Sequence, residues 1–335
     1  MMNILFLLPI WIFFQVHHSI AQDCSEVNLI SSPNSPFSRI PVYNQEKTKI
    51  CYAYAAAQMV DYQLIKNGAS ERSIHPAWLA MNYALSKKRT GIDIGHTKEA
   101  IEALVKNDNC QFKTVSDSLL GWAGQTDIAE ENILALIEKK SSGPTDGIDP
   151  HFQKIVSKIQ NSPLNSVELI SHILFPACEK RIKMVLPLVN RYNLDQLPDD
   201  HDYQEFIKQR LTRSPSPLSV AYCARVWKEP NYDGIEINPS GKRDKLKNDC
   251  EYHESLVVGK KLTQGSCHFL VRNTWGDRWK SSNRNWKCLC RDRQNGRYVD
   301  DCESFTHSDE SFSVEACWIP ADKLSKNVGV ITIIE

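Results

Sequence analysis

The chain has no surplus charge of either sign, because 40 Lys and Arg are matched by 40 Asp and Glu over 335 residues. With a formal net charge of zero and a pI near 7.1, it lacks the electrostatic footprint of a nucleic-acid binder or of a protein held on an anionic membrane. Long hydrophobic runs are missing too. The apolar stretch from Ile4 to Phe14 is too short to span a bilayer stably, and no later stretch is long enough, so stable membrane insertion is not expected. No internal repeat, phosphate-binding glycine loop, coiled-coil heptad or C-x-x-C pair occurs. Any partner therefore has to be argued from a site.

Cysteine, by contrast, is plentiful. The amino-terminal stretch "MMNILFLLPIWIFFQVHHSIAQDC" turns polar at Gln15 and offers Ser19-Ile20-Ala21, small residues at the two positions a signal peptidase reads. Residues 1–21 are expected to be a signal peptide cleaved after Ala21. Export would place the protein outside the cell, in a periplasm or in a lysosome-like compartment, where disulfides persist. The chain holds 11 cysteines, an odd number. If ten pair, in any of about a thousand connectivities, one thiol is left over and needs a chemical explanation.

Cys51 is one candidate for that thiol. The segment "ICYAYAAAQMVDYQLIK", closed by Gly68, predicts a buried helix with Cys51 in its first turn. The partial positive charge of a helix start favours a thiolate, and the local N–H groups can hold an oxyanion. Gln45, on the preceding loop, offers a side-chain amide to the same oxygen. Taken alone this is weak, since most cysteines in such a chain are expected to be paired. A thiol nucleophile also needs a base, and the base needs an orienting group.

Both occur in "CEYHESLVVGKKLTQGSCHFLVRNTWGDRW". "HESLVVG" and "CHFLVRN" predict the two arms of a β-hairpin joined by the polar "KKLTQGS". His253 opens one arm and Asn273 ends the other, so antiparallel pairing sets them side by side with Asn273 orienting the imidazole. Trp275 follows and would shield that hydrogen bond from water.

"PVYNQ", Cys51, "HESLVVG" and "FLVRNTWGDRW", in the order Gln, Cys, His, Asn, resemble the papain family of cysteine proteases. The six-residue spacing from Gln45 to Cys51 matches that family, and "RNTWG" is close to its "KNSWG". "TGIDIGHTKEAIEALVKNDNC" adds Gly95, which resembles the family's glycine that hydrogen-bonds substrate backbone. "SPSPLSVAYCARVW" resembles the strand that follows entry into the second domain. The resemblance implies Cys51 as nucleophile, His253 as its ion-pair partner and general acid, and Asn273 as orienter. It also implies an oxyanion hole of Gln45 and the Cys51 N–H, substrate contacts at Gly95 and Trp275, a protein or peptide substrate, and no metal or organic cofactor.

The sequence departs from that pattern in places. "EKTKICY" stands where familiar members have "GSCGSCW", so Thr48 replaces the cysteine of the usual disulfide beside the nucleophile, and Ile50 and Tyr52 replace Ser and Trp. The family's glycine pair is reduced to Gly95, with Ile94 before it. Cys51 follows the expected cleavage site closely, which leaves no room for a long propeptide. Between Gly95 and His253 the chain is long, and helical periodicity from "TDIAEENILALIEKK" to "DDHDYQEFIKQRL" predicts a helical insertion whose plainer role is packing. Cys288, Cys290, Cys302 and Cys317 are expected in disulfides rather than at zinc. His75, His96, His151, His172, His201, His268 and His307 have no partner motif and read as ordinary residues.

The expected fold is α+β and two-lobed, with the cleft between the lobes. A helical lobe covers residues 22–125, an insertion 126–212 and a β-rich lobe 213–335. The expected function is an exported cysteine endopeptidase. One alternative is a papain-like protein that binds peptide without cutting it, and another is a thiol-dependent amidase or transpeptidase.

Overall fold

A computed structural model of the chain describes residues 24–32, 34–45, 48–69, 74–107, 109–112, 130–140, 153–197, 199–275, 286–300 and 311–335, together with residues 119, 123 and 302. The expected signal peptide lies outside the described residues.

The architecture is α+β. Its helical half is built on α1 (Cys51–Lys66), α2 (Pro76–Ser86) and α3 (Thr97–Asn107), which pack on one another. Helix α1 is alanine-rich and buried on nearly every side, as strong helix propensity without a polar face requires. Then follow α4 (Glu130–Lys139), α5 (Gln153–Gln160), α6 (Ser166–Leu174), α7 (Asp200–Arg213) and, near the carboxyl end, α8 (Ala321–Ser325). A capping box starts α6, with Asn165 accepting from the Glu168 N–H and Glu168 accepting from the Asn165 N–H.

The β-rich half is an antiparallel sheet. Its strands are β1 (Val27–Asn28), β4 (Val189–Asn193), β5 (Leu218–Cys223), β8 (Tyr252–Thr263), β9 (Ser266–Arg272), β10 (Lys287–Asp292), β11 (Tyr298–Asp300), β12 (Phe312–Pro320) and β13 (Val328–Ile334). They run in the order β11-β10-β12-β9-β8-β5-β13-β4, with β1 beside β8. Two small ladders stand apart, β2 (Asn109–Phe112) with β3 (Cys178–Ile182) and β6 (Ile235–Ile237) with β7 (Arg243–Leu246). Helix α1 lies against β8 and β5, so the two halves share one apolar core.

Two expectations change in detail. The segment 126–212 is not wholly helical. After α6 it turns through Phe175–Ala177 into β3, which Cys178 ties to Cys110 of β2, and its β4 joins the main sheet beside β13. The hairpin loop is also shorter than "KKLTQGS" suggests. Pairing continues to Thr263 opposite Ser266, and only Gln264 and Gly265 turn, both at positive φ (51° and 79°). That is the left-handed pair a two-residue hairpin turn requires.

Candidate active site

Disulfides account for ten cysteines: Cys24–Cys267, Cys110–Cys178, Cys223–Cys250, Cys288–Cys317 and Cys290–Cys302. The free one is Cys51, so the thiol left by the odd count is the one at the helix start. Cys51 is the first residue of α1, and no side chain caps that end. Five disulfides are also the pattern of a protein that folds in an oxidising compartment.

His253 and Asn273 are brought together by sheet register. Arg272 pairs with Leu256, so continuing the ladder by one residue sets Asn273 across from Ser255, and by three sets Trp275 across from His253. Side chains alternate along a strand, which puts His253, Ser255, Asn273 and Trp275 on one face. The Asn273 side-chain oxygen is 2.7 Å from His253 Nε2. Trp275 stacks on the imidazole with ring centroids 4.6 Å apart, the shielding position expected for it. On the neighbouring strand β5, Tyr222 is the register partner of His253 and meets it edge to face at 5.8 Å.

Gln45 comes to the same place through the backbone. Its N–H donates to Thr274 O at 2.7 Å, and Asn44 bridges to Trp275. Its side-chain amide donates to Thr48 O at 3.1 Å and accepts from the Thr274 hydroxyl. Among the described residues the second amide hydrogen has no partner beyond the Thr48 bond. Arg272 locks this corner to the helical half. Its fully buried guanidinium donates to Gln58 of α1 at 2.8 Å, to Glu315 of β12 and to Ile40 O at 2.7 Å.

Gly95 lies beside Tyr52 of α1. A Cβ there would meet the Tyr52 ring at 2.5 Å, while the Tyr52 hydroxyl donates to Ile92 O at 2.7 Å. A packing demand thus explains this glycine without a substrate. Ile94 before it has a positive φ of 56° and is 67% exposed.

The electrostatics run against the ion pair implied by the resemblance. Cys51 is 6% exposed and His253 4%. Burial pushes the Cys51 thiol up to about 12; the nearby Glu254 carboxylate adds to the rise, and the N–H groups of Glu254, Tyr52 and Cys51 pull only partly the other way. Burial also pushes His253 down to about 4, against the Asn273 hydrogen bond and the Glu254 charge. Desolvation thus outweighs the helix-start field and favours the neutral forms, thiol and imidazole. Among the described residues no hydrogen bond joins the two. The surface hollow of about 510 Å³ beside Tyr232 and Lys247 is lined by none of these residues.

Several residues here carried no sequence signal. Glu254 is 2% exposed and points to the opposite face from His253. It accepts from the Thr97 N–H at 3.3 Å, the Thr97 hydroxyl and the Tyr252 hydroxyl at 2.7 Å. His96, read as ordinary, lies 3.8 Å from it. Glu138 of α4 is buried and accepts from the Lys49 N–H at 2.9 Å, two residues ahead of Cys51. Its carboxyl is pushed up to about 7 by burial, with the Lys49 N–H pulling down and Asp93 pushing up. The segment read as packing therefore also buttresses the loop leading into α1, next to Thr48, where the resemblance expects a disulfide. Thr48 instead bonds locally to Gln45 O at 2.7 Å.

No family model matches the chain. Over 98 residues the chain is 28% identical to cathepsin K of Mus musculus, and the match covers 29% of this chain. The chain spans 28% of the length of that curated relative. A digestive procathepsin L 3 from the larval midgut of Tenebrio molitor is similar over 88% of this chain and 69% of its own, at 13% identity and a TM-score of 0.38. The SERA5E structure from Plasmodium falciparum is similar over 93% and 96%, at 12% identity and a TM-score of 0.43.

Proposed function

We propose that the protein is an exported, papain-like cysteine peptidase that hydrolyses peptide bonds through Cys51. What supports this reading is a free thiol at the start of α1, near enough to β8 for the Glu254 charge and N–H to act on it, and, one residue before Glu254 on that strand, a histidine whose Nε2 is bonded to Asn273. The 98-residue similarity to cathepsin K supports it.

The neutral pair defines how the first step runs. Cys51 Sγ attacks the peptide carbonyl while His253 Nδ1 takes the thiol proton, so the charge separation forms with the bond rather than before it. The oxyanion is held by the Cys51 N–H and the free Gln45 amide hydrogen. His253 returns the proton to the departing amine. Water, deprotonated by His253, then opens the thioester and restores the thiol. Asn273 orients the imidazole throughout, and Trp275 keeps water from their hydrogen bond. Gly95 offers backbone to the substrate.

The burial of Cys51 favours a second reading, a peptide-binding protein with an idle thiol. Alkylation and peptide mapping of the oxidised protein, with and without an epoxysuccinyl inhibitor, separates the two. Labelling at Cys51 that the inhibitor blocks, together with product peptides from an unfolded protein, supports the peptidase. An unreactive Cys51 with no products supports the binder, and ligated products support a transpeptidase.

A further inference from the structure

Behind Asn273 runs a chain of buried hydrogen bonds that the proposed mechanism does not use. Trp227 Nε1 is 2.7 Å from the Tyr222 hydroxyl. That hydroxyl is 3.1 Å from Ser255 Oγ, and Ser255 Oγ is 3.3 Å from Asn273 Oδ1. Tyr222 and Ser255 are fully buried, so water does not compete for these bonds.

The direction of the chain follows from its first member. An indole N–H only donates, so the Tyr222 oxygen accepts from it and its own hydrogen is left for Ser255. The Ser255 hydrogen in turn goes to Asn273 Oδ1. The same oxygen accepts from the Thr274 N–H at 2.7 Å. With two donors already committed to it, the atom facing His253 must be the amide oxygen. A flipped amide would aim its NH₂ at these donors. The arrangement holds although Asn273 Nδ2 is buried with no partner among the described residues, which shows which end of the amide the surroundings select.

An amide oxygen can only accept, so His253 Nε2 must carry the hydrogen and Nδ1 must be the bare nitrogen. We propose that Tyr222 and Ser255 are positioning residues that set the tautomer of His253, keeping Nδ1 free to take a proton from Cys51. The role of that proton rests on the peptidase reading, whereas the tautomer does not. Tyr222 sits here because β5 pairs it with His253, and Ser255 because it lies two residues along β8 on the same face.

The test uses the full disulfide-bonded protein with ¹⁵N-labelled histidine. In the wild type, the His253 ring is expected to show a protonated Nε2 and a bare Nδ1. In Ser255→Ala and Tyr222→Phe the Nδ1–H form should become detectable. Alongside, kcat should fall about tenfold with KM unchanged, and Ser255→Thr, which keeps the hydroxyl, should recover most of the loss. A wild type with Nδ1 protonated overturns the inference even if no variant folds. So do variants with unaltered tautomer and kcat. If the wild type cleaves nothing while Ser255→Ala still shifts the tautomer, the positioning role stands and the peptidase reading falls.

Discussion

The two sides of the candidate site are held in different ways. The histidine side is built into three paired strands, where His253, Tyr222, Ser255 and Asn273 sit on one face by register. The Cys223–Cys250 disulfide brackets the entry to β8. The cysteine side hangs on the loop leading into α1, fastened by a few hydrogen bonds: Gln45 with Thr274, Thr48 with Gln45, and Lys49 to Glu138, 89 residues further along the chain. Strand register is strongly specified where one face is buried, because a slip of one residue would turn every side chain around. A loop has no such repeat, and its geometry depends on whatever packs against it. The histidine is thus placed by secondary structure, the cysteine by tertiary contacts.

The largest expected effect is common to both sides. Cys51→Ala and His253→Ala should each lower peptidase activity at least about a thousandfold while the five disulfides and the melting temperature stay close to wild type. Retained cleavage by Cys51→Ala would end the proposed mechanism.

On the histidine side, Asn273→Ala should cost about ten- to a hundredfold in kcat, because it orients rather than reacts. It should also lower stability by about 1–3 kcal/mol, since it strands donors from His253, Ser255 and Thr274. Steady-state kinetics and denaturant unfolding measure the two separately.

On the cysteine side, the weak point is Glu138, and it titrates. Its folded pKa is raised from 4.5 to about 7. Such a group contributes stability that is fully present below about 4.5 and lost as the pH rises through 7. Glu138→Gln removes the titration, so its stability relative to wild type should rise by about 3 kcal/mol between pH 4.5 and 8. A difference in unfolding free energy that stays constant with pH would remove Glu138 as the loop's buttress. The smallest effect lies far from either side: Arg225→Ala, which breaks exposed pairs with Glu229 and Asp249, should leave the denaturant midpoint indistinguishable from wild type.

Much of the histidine side was legible in the sequence. "HESLVVG" and "CHFLVRN" show their strand character, and His253 and Asn273 at opposite ends of a hairpin imply their contact. Ser255 was within reach by the same period-two rule, once His253 was chosen. Tyr222 was not, because nothing local says which strand flanks β8 on its other side. Glu138 left no mark in "EENILALIEKK", where it reads as one more solvated charge on an amphipathic helix. Gly95 was legible only through the resemblance, as a substrate contact, and the Tyr52 ring that a Cβ there would strike is 43 residues away in the chain.

The odd cysteine count, the helix that begins at Cys51, the hairpin and the order Gln45, Cys51, His253, Asn273 were determined by the sequence alone. Parity, helix propensity and strand alternation are properties of the chain before it folds. Only the tertiary structure decided that Cys51 is the thiol left free, that Glu138 props its loop, and that Trp227 stands at the head of the bonds reaching His253. It also decided how far burial pushes the thiol up and the imidazole down. A helix terminus and a neighbouring base favour the ion pair, but desolvation is set by everything that closes over the site. That enclosure is a sum over residues distant in sequence, so no local pattern records it.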